Sequence, residues 1–487
     1  MKSEMKERIR GMTVPATCTV REAMQAIDRG ALGMAILIKS GSNCFAGLVT
    51  DGDIRRALLS GRFALNSLVS QIPRPEPKTG YIEMSSEQLA DLLNDPVRVV
   101  PLLDKDGAVA DLAVLDRRVN IPVAEPHLGA KELLYVSECV LTGWVSSAGK
   151  FIAQFEEMFA AFCGTPYAIA TSSGTSALHL AVRALDIGPG DEVIVPTLSF
   201  IATATAVTYT GARPVFVDSE RETWNIDPEL IEHAVTKHTK AIIPVHLFGH
   251  PANMDPILEI AARNGLSVIE DAAQAHGARY KNRCVGGMGT LGIFSFYGNK
   301  IITTGEGGMV VTDRADLAEK LRILRDHGMS SKRHYWHPVL GYNYRMTNLQ
   351  AALGVAQLEK VGSILNAKKQ IAQTYARALR GFSGISLQPK QPWAESVCWL
   401  YSILIDPKSF GSTRDELANH LKESNIESRP LFPPIHTQPV YATGQDLPIA
   451  QELSANGLSL PSAMGVRLED INRVIDVIAS VHAGSKR

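Results

Sequence analysis

Three short stretches of this sequence carry side chains that could act together on a small molecule. In "IFSFYGNKIITTGEGGMVVTD", residues 293–313, Lys300 stands between two strand-like runs. An ammonium there is costly to desolvate unless it is paired or becomes part of a covalent bond. In "VIEDAAQAHG", Asp271 ends an apolar run, where a carboxylate either caps a following helix or partners a buried cationic group. In "TSSGTSALHLAV", a run ending at Thr171 passes through a small-residue turn into a helix predicted to start near Ser173. The free N–H groups of that helix start, with Gly174 allowing close approach, form either an anion cradle or an ordinary cap.

A cradle at Gly174 and Thr175, a strand-end carboxylate and a strand-end lysine, with the Ser295 hydroxyl nearby in sequence, suit pyridoxal phosphate. Lys300 would condense with the cofactor aldehyde, which explains how an amine tolerates that location. Asp271 would sit against the pyridine nitrogen and keep it protonated, so that the ring accepts electrons. Once released by an incoming amine, Lys300 is placed to move a proton between the substrate carbon and the cofactor's C4′ carbon. That is transamination chemistry.

The elements that must position these groups alternate in type from about residue 120 onward. "AIAT" precedes "SGTSALHLAVRAL", "DEVIVP" precedes "SFIATATAVTYTG", "KAIIPVHLFG" precedes "DPILEIAARNG", and "LSVIED" precedes "AAQAHG", read as helical. Continuous apolar strands separated by amphipathic helices predict a mostly parallel sheet covered on both faces, which binds ligands at the carboxyl ends of its strands. The first 118 residues differ. "TCTVREAMQAIDRG" and "DGDIRRALLSG" have helical spacing around the strand-like "MAILI" and "CFAGLVT". A weaker copy follows in "SSEQLADLL", "VRVVPLLD" and "AVADLAVLD", with Gly107 as a hairpin signal, so a duplicated unit is expected. "DRRVNIPVAEPHLG", with Pro122 and Pro126, marks the junction.

From about Asn120 to the C-terminus the sequence closely resembles the DegT/DnrJ/EryC1/StrS family of nucleotide-sugar aminotransferases, in "TGWVSSAGKF", "SSGTSALHLA", "IEDAAQAHGA", "FSFYGNKIITTGEGGMVVT" and "GYNYRMTNLQAALG". The resemblance implies an α/β fold: a PLP-dependent transferase of fold type I, with a large domain over 119–365 and a small C-terminal domain over 366–487. Position by position, it implies Lys300 as the cofactor-bonding lysine, Asp271 on the pyridine nitrogen and Gln274 beside the phenolic oxygen. Gly174, Thr175 and Ser295 would hold the phosphate, Phe200 would stack on the ring, and Asn343 would reach in from a neighbouring subunit, making the active unit at least a homodimer. "IPVAEPHLGAKELLYVSECVLTGWVSS" and "HLFGHPANMDPILEIA" most resemble the perosamine synthase branch, which moves an amino group from glutamate onto C4 of GDP-4-keto-6-deoxymannose. His327 of "RDHG" is the candidate substrate contact; His246, His250 and His276 also lie near the motifs, where a structural role is the commoner one.

Residues 1–118 resemble a tandem CBS pair, which implies an adenine nucleotide at Thr50 and Asp53 of "GLVTDGD". The second copy has Ala113 where the threonine should stand and retains only Asp116, so at most one good site is expected. The alternative is a helix cap in a structural or dimerising unit.

Composition narrows the classes further. Charged residues make up 20% and the formal net charge is -1, which argues against a nucleic-acid groove or a polybasic membrane surface. The charged N-terminus lacks an apolar leader core, and no apolar run is long enough to span a bilayer, so a cytoplasmic protein is expected. Six scattered cysteines without a C-x-x-C pair argue against a zinc site or disulfide framework, and no metal is expected. Transfer to a UDP- or dTDP-linked keto sugar, a PLP- or PMP-dependent sugar dehydratase and a non-catalytic nucleotide sensor are the competing functions.

Overall fold

The computed structural model describes residues 7, 9–30, 32–84, 88–89, 92, 99–114 and 121–484. The chain divides into two compact units, 1–119 with 129–133, and 120–128 with 134–487. Asp116 and most of "SSEQLADLL" lie outside the described residues.

The N-terminal unit repeats one pattern twice. β1 (Thr13–Pro15) pairs in parallel with β2 (Met34–Ile38), which pairs antiparallel with β3 (Phe45–Thr50). β4 (Gly80–Tyr81), β5 (Val99–Leu103) and β6 (Val109–Val114) repeat those directions. Even the register shift recurs, at Leu37/Ile38 and at Leu102/Leu103. The helix Val20–Gly30 buries Val20, Ala23, Met24 and Ile27, one face at helical spacing. Phe45 N–H donates to Gly107 O at 2.8 Å, and Met34 and Ile36 share an apolar cluster with Val99, Val109 and Leu112, so the two halves have a common core.

The second unit is built on a seven-stranded sheet. Its strands are β7 (Tyr167–Thr171), β8 (Glu192–Pro196), β9 (Arg213–Val217), β10 (Thr239–Ile242), β11 (Ser267–Asp271), β14 (Leu291–Ser295) and β15 (Gly308–Thr312). They lie in the order β7-β15-β14-β11-β10-β8-β9, and β15 runs against its two neighbours. These strands are almost wholly apolar and buried, as strands covered on both faces must be. β12 (Arg279–Tyr280) and β13 (Arg283–Cys284) form a short hairpin joined by β17 (Ala394–Glu395). β16 (Ile385–Leu387), β18 (Tyr401–Ile405), β19 (Arg429–Pro430) and β20 (Gly457–Leu460) make a smaller antiparallel sheet with its own core around Tyr375, Phe410 and Leu458.

Two local expectations are corrected. "AAQAHG" is not a helix. Ala272 N–H is taken by Ile293 O at 2.9 Å, and the segment goes on through turns closed by Ala275 N–H to Ala272 O and Ala278 N–H to Ala275 O. Gly277, at φ 83°, turns where an added Cβ would lie 2.7 Å from Leu365 Cδ1, so tertiary packing overrides helical spacing. Lys300 is not at a strand end either: β14 stops at Ser295, and the lysine sits in the loop leading to β15, its N–H closing a turn on Tyr297 O at 2.9 Å.

Candidate active site

A cavity of about 510 Å³ opens at the carboxyl ends of β7, β8, β11 and β14 and is lined together by Gly174, Thr175, Phe200, Asp271, Gln274, Ser295 and Lys300. Its size lies within the roughly 300–1,000 Å³ typical of small-molecule sites. At one end the helix Gly174–Ala184 begins. Ser173 caps it, its Oγ accepting from Ser176 N–H at 3.1 Å while Ser176 Oγ accepts from Ser173 N–H at 3.0 Å. The cap uses the third N–H of the helix and leaves those of Gly174 and Thr175 at its open end. A Cβ on Gly174 would fall 2.6 Å from Ser295 Cβ. Glycine there lets β14 press against the helix start, bringing the Ser295 hydroxyl beside the cradle.

Alternation along β11 sends its last two carboxylates to opposite faces. Glu270 accepts from the N–H groups of Gly286, Met288 and Gly289 at 2.6–2.7 Å and from His246 Nε2 at 3.1 Å. Ala252 N–H donates to His246 Nδ1, which sets the tautomer. Burial pushes the Glu270 acid up, but the hydrogen bonds from His246 and the two glycine N–H groups outweigh it, leaving it below the usual range. That pair is structural. Asp271 faces the cavity, its Oδ2 accepting from the Thr203 hydroxyl at 2.8 Å and its Oδ1 from Ala273 N–H at 3.2 Å. Burial pushes this acid up, against the pull of Thr203, Ala273 and the Lys300 charge.

Burial lowers Lys300 to about 8, opposed by the charge of Asp271. Its Nζ lies 3.9 Å from the Trp399 ring centroid. Gln274 Oε1 accepts from Phe248 N–H at 2.7 Å, and Phe248 continues an aromatic wall, parallel to Phe432 at 5.6 Å with Phe200 tilted 6.0 Å beyond. An open helix start, an aromatic wall, a buried carboxylate and a buried amine of lowered basicity fit a cofactor with one anionic end, a flat nitrogen-bearing ring and an aldehyde.

Asn343 and His327 do not line the cavity. They lie together on the segment 326–345, where His327 N–H donates to Tyr342 O at 2.7 Å and Asp326 bridges Asn343. Thr50 and Asp53 belong to the other unit, in a capping box described below. His246, His250 and His276 stay out of the cavity wall; His276 is buried among Phe159, Phe294 and Phe296 and pushed down to about 3 by that burial. Sequence reasoning missed Thr203, Phe248, Trp399, Arg429 and Phe432, which line the same cavity. For Thr203 a signal existed, one helical turn after Phe200 in "SFIATATA". The others arrive from distant loops and the smaller sheet with no local motif.

Residues 126–479 match the DegT/DnrJ/EryC1/StrS aminotransferase family, and residues 5–60 match the CBS domain. That second match ends at residue 60, so the later half of the N-terminal unit is recognised by its repeated topology. GDP-perosamine synthase of Caulobacter vibrioides is 48% identical over 365 residues, 74% of this chain and 98% of that protein. The GDP-perosamine synthase of Escherichia coli O157:H7 is 45% identical over 359 residues, 74% of this chain and 97% of that one. Among solved structures, S. venezuelae DesV in complex with a ketimine intermediate superposes with a TM-score of 0.68 at 39% identity, over 74% of this chain and 95% of that chain. Helicobacter pylori PseC, an aminotransferase of pseudoaminic acid biosynthesis, reaches 0.72 at 28% identity, over 75% of this chain and 100% of that chain. The chain belongs to the DegT/DnrJ/EryC1/StrS aminotransferase family, as an enzyme that carries a CBS domain at its N-terminal end.

Proposed function

We propose that the enzyme uses pyridoxal phosphate to convert GDP-4-keto-6-deoxymannose into its 4-amino sugar, with glutamate as amino donor, for surface polysaccharide synthesis. The observation that carries this is the meeting, in one cavity, of Lys300, Asp271 and the open helix start at Gly174. The likeness to the perosamine synthases supports the substrate. The cofactor supplies an aldehyde that bonds amines and a ring that accepts the electron pair of a deprotonated carbon. The N–H groups of Gly174 and Thr175 and the Ser295 hydroxyl hold its phosphate; Phe200 covers the ring; Gln274 serves the phenolic oxygen. Asp271, held by the Thr203 hydroxyl, would face the ring nitrogen, whose proton would in turn keep the carboxylate ionised. Lys300 would hold the cofactor and, when free, would be the group that moves a proton at the reacting carbon; a value of about 8 suits that exchange.

Asn343 and His327 act in the cavity of a second copy, so the working form is a homodimer or larger. Exposed Tyr335, Trp336 and Leu340 on the same segment support a partner there. All six cysteines are unpaired, as suits a cytoplasmic enzyme. Among the described residues no helix is long and apolar enough to cross a membrane. The CBS match supports an adenine nucleotide at the N-terminal unit, at Thr50 and Asp53. That part is tested by thermal melting of the full chain with ATP, AMP or S-adenosylmethionine, where no shift with any of them refutes it. The central proposal is tested by mass spectrometry of products formed from glutamate and GDP-, UDP- or dTDP-linked keto sugars. An amino sugar from the GDP substrate is expected; a product that has lost a hydroxyl without gaining nitrogen overturns it.

A further inference from the structure

Trp399 is held from several directions. Its indole Nε1–H donates to Asn299 O at 2.8 Å, its own N–H donates to Phe248 O at 2.9 Å, and its carbonyl accepts from the Lys368 ammonium at 2.8 Å. Lys368 is itself buried and also donates to Ser462 O at 2.5 Å. Phe248 stacks near the indole at 6.3 Å and 14°. The bond to Asn299 O ties the ring to the residue directly before Lys300, so ring and lysine backbone are fixed to one another. Over that fixed face stands the Lys300 ammonium, 3.9 Å from the centroid.

We propose that the face of Trp399 is the resting position of the Lys300 ammonium whenever that lysine is not bonded to the cofactor, which makes Trp399 a positioning residue for the transamination. The proposal rests on Lys300 being the cofactor-bonding lysine. A released lysine has a flexible four-carbon stem and shares its cavity with the carboxylates of Asp271 and Glu306 and the guanidinium of Arg429. Without a defined resting place it could pair with Glu306, away from the reacting carbon. An aromatic face attracts a cation within about 6 Å of its centre and has little hold on a neutral amine. Loss of the proton weakens that hold, so the neutral amine leaves the ring to take a proton at the substrate carbon; the ammonium formed there gives the proton up at the reacting carbon, and Nζ settles on the ring only when it is protonated between these exchanges. The anchor through Lys368 keeps the ring from following.

The test uses cofactor-free full-length protein. Trace acetic anhydride labels lysines in proportion to their neutral fraction, and peptide mass spectrometry gives the titration midpoint of Lys300 in wild type, Trp399→Phe and Trp399→Leu. Loss of the ring is expected to lower the midpoint by about half to one pH unit in the leucine variant, with phenylalanine between the two. The other lysines serve as internal controls. A purely structural role for Trp399 would not grade the midpoint by ring type. An unchanged midpoint in the leucine variant overturns the proposal; should that variant misfold by circular dichroism, an unchanged midpoint in Trp399→Phe does so. Borohydride reduction with pyridoxal phosphate followed by peptide mapping tests the underlying assignment separately. Absence of an adduct at Lys300 would sink that assignment while leaving the midpoint result to stand by itself.

Discussion

Two strand-to-helix turns, one in each unit, share the same local grammar and end differently. Where β3 enters the helix Asp51–Leu59, Thr50 N–H and its hydroxyl donate to Asp53 Oδ2 at 3.0 and 2.7 Å, and Asp53 N–H donates back to Thr50 Oγ1 at 3.2 Å. Arg56 takes Oδ1 at 2.5 Å, so the charge of Asp53 is met within its own helix. Where β7 enters the helix Gly174–Ala184, Ser173 and Ser176 make the same box with no charge at all. There β14 packs on Gly174, Asp271 comes in from the end of β11, and Lys300 from the loop between β14 and β15. A cap is a local device. A site is made when groups distant in sequence converge on the N–H groups the cap leaves over.

That contrast can be broken or sharpened, starting with the largest effects. Lys300→Ala should abolish turnover while circular dichroism stays native, because only the covalent link and proton carrier are lost; measurable turnover would deny the cavity its role. For Asp271→Asn, steady-state rates should drop by roughly two to four orders of magnitude with some cofactor still bound, since an amide cannot hold the ring nitrogen protonated. A rate within a few-fold of wild type would contradict this.

The units should also part company in acid. Burial lowers His179 and His250 to about 4 and His276 to about 3, against an ordinary 6.5. Below pH 6.5 the unfolded chain takes up these protons and the folded one does not. Their contribution is therefore intact above about 6.5 and lost as pH falls toward 4, costing the aminotransferase unit on the order of a few kcal/mol. Residues 1–118 contain no histidine, so in urea melts followed by limited proteolysis across this range, that unit should hold longer. Earlier acid loss of the N-terminal unit would refute the account.

Smaller effects bear on the turns themselves. Gly174→Ala should cost about 1–3 kcal/mol by overpacking against Ser295 and weaken cofactor binding. Gly52→Ala, at the second helical position of its own turn, meets the far end of Arg56 at 3.3 Å and Thr50 Oγ1 at 3.5 Å and should lie within about 0.5 kcal/mol of wild type in chemical melts. Equal costs would show that the two turns do not differ as described. Asp53→Ala should cost the N-terminal unit about 1 kcal/mol through the lost cap and leave the turnover of the other unit unchanged without added nucleotide. A loss well above that would mean that Asp53 does more than cap.

The predicted part of the cavity was legible because each of those residues follows, within a few positions, a run whose strand character is local. Ser173, Asp271 and Ser295 end or follow continuous apolar runs, and a sheet covered on both faces puts such ends on one edge. The repeat in the first 118 residues was readable for the same reason. The role of Glu270 was not, although it adjoins Asp271. Which of two neighbouring carboxylates faces the cavity depends on which face His246 and the loop 286–289 pack against.

The sequence by itself determined the alternating strands and helices, the capped helix starts and the positions of lysine, aspartate and glycine among them, because spacing and side-chain type act over a few residues. Tertiary structure decided the rest. It turned "AAQAHG" away from a helix, carried Lys300 beyond its strand, and brought Trp399, Arg429 and Phe432 to the cavity from far along the chain. Contacts between residues a hundred or more positions apart are set by how sheets and loops bury their apolar faces together, and no local pattern encodes that.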